Sequence, residues 1–75
     1  MPSVFHSDTM NIIVNGSPRD IPDNISAADL IVALNLVGKR LALEVNEAIV
    51  PRSNFDTYRL NPGDRVEIVH AIGGG

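Results

Sequence analysis

The sequence predicts an α+β domain, a mixed sheet of four to five strands with one helix packed across it. Three observations lead there. Short stretches alternate apolar and polar residues with the two-residue period of a strand, and one stretch, 24–38, changes to the period of a helix. The segments between them carry turn chemistry, notably Asn15-Gly16 and Asn61-Pro62-Gly63-Asp64. With 75 residues the chain suffices for one small domain, so each element must commit its apolar face to a single core.

The first nine residues, MPSVFHSDT, are polar and irregular and read as a loose arm, 1–9, ahead of the domain. The first strand follows in MNIIVNG, where Met10, Ile12 and Val14 share one face. Asn15-Gly16 is the strongest short hairpin signal in the chain, because both residues accept the positive φ of a tight turn. A brief return strand is expected around Arg19 to Ile21, cut short by Pro22, which has no amide donor for pairing.

Ser26 then offers an N-cap, Asp29 a favourable charge in the first turn, and Ile25 a hydrophobic staple onto Leu30. Ala27, Leu30, Ile31 and Leu34 fall on one face of a helix of about ten residues, with Gly38 marking its end or exit loop. Leu41, Leu43 and Val45 make the third strand. A turn at Asn46-Glu47 leads to a short fourth strand that stops at Pro51. Residues 53–60 have no clean period and are expected to form a turn or short 3-10 segment tucking Phe55 or Tyr58 under the sheet. The last strand is RVEIVHAI, 65–72, with Val66 and Ile68 facing one way.

A hairpin, a crossing helix and three further strands, with the last placed centrally beside the first by the right-handed crossover rule, make a β-grasp, the ubiquitin-like architecture. The domain is expected to span 10–72, followed by a flexible glycine tail, 73–75. A wholly apolar run long enough to span a bilayer is absent, as is a basic, apolar secretory leader, so the default expectation is a cytoplasmic protein.

Composition excludes several function classes. Six basic and nine acidic residues give a formal charge of -3, and the basic residues are scattered, which argues against nucleic-acid binding. The absence of cysteine rules out disulfides, Cys-based metal sites and a thiolate nucleophile. The two histidines, His6 and His70, have no carboxylate at ligand spacing, so no metal site is expected. Asp20, Asp23, Asp29 and Asp64 fall at predicted turns or caps, where acids do structural work. No conventional catalytic grouping emerges, and the chain is expected not to be an enzyme. What is left is the α-carboxylate of Gly75 on a run of glycines. Glycine lets a backbone pass where no Cβ fits, so a partner's active site could reach that carboxylate and activate it with ATP. A frayed terminus is the plain alternative.

The segments VNG (14–16), VNEAIVPR (45–52) and NPGDRVEIVHAIGGG (61–75), with the helix between, resemble the sulfur-carrier proteins of thiamine biosynthesis, the ThiS family, over residues 10–75. The resemblance implies that Gly75 bears the sulfur. A partner adenylating enzyme, ubiquitin-activating-like, uses Mg-ATP to form an acyl adenylate there. A sulfur donor converts this to a thiocarboxylate, and thiazole synthase takes the sulfur for the thiazole ring. It implies no cofactor bound by this chain itself, and no nucleic-acid or membrane partner. Gly73 and Gly74 would give the tail its entry into partner active sites. Val69, Ala71, Ile72 and Arg52 are candidates for partner docking; the alternative for the first three is burial in the core behind a bulge, and for Arg52 a solvated turn residue. The nine-residue arm departs from the family, whose members usually begin near Met10. Two other readings stand beside this one: the small subunit of molybdopterin synthase, with the same terminal chemistry, and a β-grasp interaction module with no covalent chemistry.

Overall fold

The computed structural model describes residues 9–70. Strand β1 (Thr9–Val14) turns through Asn15-Gly16 into β2 (Ser17–Pro22), and the two pair antiparallel from Thr9↔Pro22 to Val14↔Ser17. Both turn residues have positive φ, 51° and 85°, the type I′ geometry that matches strand twist. β1 thus begins one residue ahead of Met10. β2 is longer than expected and contains Pro18 and Pro22, because it is the edge strand of the sheet. In a two-residue hairpin the closing pair is hydrogen-bonded, so residues 17, 19 and 21 bond β1 while 18, 20 and 22 turn outward. The prolines occupy positions whose missing N–H faces no strand, and they blunt the open edge. Asp20 is therefore a strand residue rather than a turn residue, and it accepts a 3.1 Å hydrogen bond from Asn11 Nδ2 across the pair.

Helix α1 (Ala27–Ala33) is capped as its sequence predicts: Ser26 Oγ accepts from the Asp29 amide at 3.0 Å. The irregular segment 51–60 supplies the remaining first-turn acceptors, with Ala27 N–H donating to the Tyr58 carbonyl and Ala28 N–H to that of Phe55, both at 2.9 Å. That segment has no period of its own because it is shaped by the orphan donors of the helix it meets. It contains one 3-10 turn, Arg52–Asn54, and seats Phe55 and Tyr58 half-buried against the core.

The helix is shorter than the expected ten residues: its last helical residue is Ala33 and its stop lies at Asn35, while Gly38, at φ 84°, falls in the exit loop. Asn35 sits at φ 63°, its N–H donates to the Val32 carbonyl and that of Leu36 to the Ile31 carbonyl, each at 2.9 Å. This is a Schellman stop, with asparagine in the left-handed position more often held by glycine. Leu34, just past the last helical residue, is consequently half-buried, whereas Leu30 is fully enclosed.

Strands β3 (Leu41–Val45), β4 (Ala48–Val50) and β5 (Arg65–His70) complete the sheet in the order β2-β1-β5-β3-β4. β5 is central, parallel to β1 and antiparallel to β3, as the crossover rule requires. Ile12, Leu43, Val66 and Leu30 form the middle of the core between sheet and helix, joined by Leu60, which sequence periodicity did not single out. The β-grasp expectation is met. Among the described residues the other sheet face carries no helix; Asn11, Glu67 and Val69 are exposed there and Ile13 and Glu44 half-buried.

Candidate functional site

β5 is the element that leads to the glycine run, so the means by which it is held decides what it can present. Its pairing with β3 continues without a bulge from Val45↔Val66 to Leu41↔His70. Regular alternation therefore buries Val66 and Ile68 and turns Val69 to the opposite, helix-free face, where it is 54% exposed. On the β1 side the ladder is short. Ile13 N–H donates to the Asp64 carbonyl at 3.0 Å and Asn15 N–H to the Val66 carbonyl at 2.9 Å. In a parallel ladder the next rung would run from Ile68 N–H to the main-chain carbonyl of Asn15. Asn15 has by then turned into the left-handed region at φ 51°, and its side-chain Oδ1 takes that bond instead, at 2.8 Å.

The same device recurs across the strand. Asn46, at φ 52° in the turn between β3 and β4, donates its N–H to the Arg65 carbonyl at 2.7 Å. The reciprocal bond, from Arg65 N–H, goes to Asn46 Oδ1 at 2.9 Å. Asn46 Nδ2 then donates to Asp64 Oδ1 at 3.0 Å, and Asp64 Oδ2 accepts the Asn61 amide at 2.9 Å. Asp64 is one of two buried polar residues among those described, and this pairing satisfies it. It closes the turn at 61–64, so its structural reading is correct. Two asparagines thus clasp β5, one at its start and one near its end. Sequence reasoning took both as turn residues only; the signal available was the repeated Val-Asn at 14–15 and 45–46.

Around Val69 the helix-free face is mixed. Ala42 lies directly opposite Val69, Glu44 opposite Glu67, and Ile49 beside Glu44. Ile49 is 68% exposed. Two carboxylates facing each other across adjacent strands disfavour the sheet locally, so this face is not optimised for stability alone. Arg52 lies elsewhere, exposed at the start of the 3-10 turn with its guanidinium 5.9 Å from the centre of the Phe55 ring. A cation–π contact at that range gives it a local structural role. Ala71, Ile72, Gly73, Gly74 and Gly75 lie outside the described residues. His70 ends β5 and is exposed, and among the described residues no group of three or more His, Asp or Glu side chains is placed to hold a metal.

This architecture has relatives. The chain matches the model of the ThiS family over residues 12–75. It is 30% identical to a solved thiamine biosynthesis protein (ThiS) of Geobacter metallireducens, superposing with a TM-score of 0.78 over 88% of this chain and 100% of that one. It is 35% identical to a thiazole synthase of Paramagnetospirillum magneticum over 66 residues, which are 88% of this chain and 20% of that protein. An uncharacterized protein of Porphyra purpurea, ycf40, is 32% identical over 88% of this chain and 93% of its own length. The chain therefore spans about a fifth of the thiazole synthases it matches, but nearly all of the stand-alone relatives. Family match, shared β-grasp and near-complete coverage of the small relatives agree, and the chain belongs to the ThiS family.

Proposed function

We propose that this protein is a sulfur carrier for thiazole formation, acting through the carboxylate of Gly75. The carboxylate oxygen attacks the α-phosphate of Mg-ATP in a partner adenylating enzyme, forming the acyl adenylate and releasing pyrophosphate. A sulfur donor then displaces AMP to leave a thiocarboxylate, which thiazole synthase consumes. The chain supplies no catalytic group; it is the substrate of its partners. The observation that carries this reading is the family match, which runs through β5 to residue 75. The position of β5 supports it, since a central strand bonded on both sides is a firm base for a terminal peptide. The likeness to thiazole synthases supports that enzyme as the consumer.

The helix-free face around Val69 is the proposed docking surface for the adenylating enzyme. Val69 and Ile49 offer apolar area, and Glu44 with Glu67 sets a negative charge that basic groups on a partner would neutralise. Ala71 and Ile72 would extend the contact towards the tail, and Gly73 and Gly74 would carry the carboxylate through a channel too narrow for side chains. Arg52 is a weaker docking candidate, since its contact with Phe55 already accounts for it.

The test is intact mass after incubation with the adenylating enzyme, Mg-ATP and a sulfur source. Exchange of one terminal oxygen for sulfur is expected. Gly74→Val and deletion of Gly75 are each expected to keep the circular dichroism of the wild type and abolish pyrophosphate release. The β-branched side chain stiffens the tail and fills the channel, and the deletion pulls the carboxylate short of the phosphate. Wild-type rates in both variants would sink the reading. Presenting the loaded protein to thiazole synthase and to the large subunit of molybdopterin synthase separates the two sulfur-transfer fates.

A further inference from the structure

We infer that Asn15 is a positioning residue for the terminal chemistry: its side-chain carbonyl, bonded to the Ile68 amide, fixes the direction in which β5 leaves the sheet. The inference rests on the proposed role of Gly75 and adds a residue far from it in sequence.

Three features combine. First, β1 pairs β5 only at Ile13↔Arg65 and Val14↔Val66 before turning away at Asn15. Among the described residues, the Ile68 bond is the last one that the β1 side contributes. Second, the bond is made by a side chain because the backbone can no longer make it. Asn15 sits at φ 51°, so its own carbonyl has left the ladder, and Oδ1 at 2.8 Å stands in its place. Third, the turn does not require this side chain. Glycine meets a type I′ turn equally well, and an amide that reaches 53 positions along the chain is not explained by local geometry. With the clasp, Ile68 is held from both neighbours, and residues 69–70, paired to β3 alone, leave from a residue fixed on both sides. Without it residues 68–70 all hang from β3 alone, and the end of β5 is free to splay.

The consequence is kinetic. A carrier whose exit strand is splayed presents the tail in the productive direction for a smaller fraction of the time. Its apparent affinity for the adenylating enzyme falls by that fraction, while turnover of the complex once formed is unchanged. Asn15→Gly removes the acceptor and keeps the turn. Asn15→Asp keeps an acceptor at the same reach and tolerates the left-handed backbone.

The experiment measures pyrophosphate release by the adenylating enzyme with the full chain, varying carrier concentration, alongside hydrogen exchange at the Ile68 amide. The expected result for Asn15→Gly is a KM raised about two- to fivefold, the loss of one hydrogen bond's worth of order, with kcat unchanged. Ile68 exchange should be faster, and Asn15→Asp should restore both. A KM equal to wild type in Asn15→Gly, or an Ile68 amide as protected as before, overturns the positioning role alone. A wild-type chain that releases no pyrophosphate at all overturns the sulfur-carrier reading and this role with it.

Discussion

The two hairpin turns of this domain are built alike and used differently. Both are type I′, both open on an asparagine in the left-handed region, and both turn that side chain back onto β5. At Asn46 the clasp belongs to a closed network. It takes the Arg65 amide, feeds the buried Asp64 carboxylate, and through it fixes the turn at 61–64 from which β5 starts. At Asn15 the clasp is a single bond to Ile68 with no further partner on the described residues. The second turn positions differ too: Gly16 sits at its φ of 85° without cost, whereas Glu47 is held at 73°, a region disfavoured for residues with a Cβ. One turn anchors the strand's beginning and stores strain in doing so. The other, unstrained, steers the strand's end. A fold can afford a weak bond where direction matters more than stability.

Both turns act on an intact core, and the largest expected effect removes that core. Leu30 is fully buried in the core, and Leu30→Ala should cost ~2–5 kcal/mol, enough to unfold much of a domain this small. Leu34→Ala should cost clearly less, because Leu34 lies past the helix end and is half-exposed. Thermal melts of the two variants check the order. Equal losses would show that the helix face is assigned wrongly.

Next comes Asn46→Gly, which keeps the turn and removes both side-chain bonds. The Arg65 amide then loses its acceptor, and Asp64 loses a donor while staying in place. Leaving a buried polar group short of partners costs about 1–3 kcal/mol, so a loss of about 2 kcal/mol is expected in urea unfolding at unchanged m-value. A smaller loss than that of Asn15→Gly would reverse the comparison.

Glu47→Gly should act in the opposite sense. Relief of the left-handed backbone is worth about 1–2 kcal/mol, and the added flexibility of the unfolded chain takes back part of it, leaving a gain of about 0.5–1 kcal/mol. The Arg65–Glu47 ion pair that would be lost is 3.7 Å long between largely exposed side chains, and contributes little. If the variant melts lower than wild type, then Glu47 makes a contribution that outweighs its backbone strain.

Much of this was legible in the sequence. Alternation at Met10, Ile12 and Val14 and at Leu41, Leu43 and Val45 was enough to place strands, because each buries one face only. Ser26 marked the helix start because a cap is a local event. The helix end was misplaced for the complementary reason: Asn35 can stand in for glycine in a left-handed stop, and nothing nearby in sequence says that it does. β2 was expected to be short because prolines forbid pairing, yet an edge strand has a side that needs no donors, and which strand lies at the edge is a property of the whole sheet. Leu60 escaped because its burial depends on the helix N-terminus gripping an aperiodic segment. The clasps escaped for the same kind of reason. Asn15 reaches Ile68 across 53 positions, and a turn signal carries no information about a partner so distant.

The smallest expected effect is the most informative about the two turns. Asn15→Gly leaves the type I′ turn intact and breaks one part-buried bond whose acceptor side is open to water, so the freed Ile68 amide can be partly resolvated. The net cost of such a bond is about 0.5–1 kcal/mol, roughly a quarter to a half of that expected at Asn46, and the melt should fall by only a few degrees. The disturbance should be local. Exchange of the Ile68 amide should quicken by more than the global stability loss allows, because opening of the last residues of β5 no longer has to break a rung on the β1 side. The Arg65 amide, held by Asn46, should follow global stability alone. In Asn46→Gly the pattern inverts, with Arg65 exchanging first and Ile68 tracking the whole fold. If Asn15→Gly instead slowed or quickened both amides together, the two clasps would be one cooperative unit, and the division of labour between the start and the end of β5 would not hold.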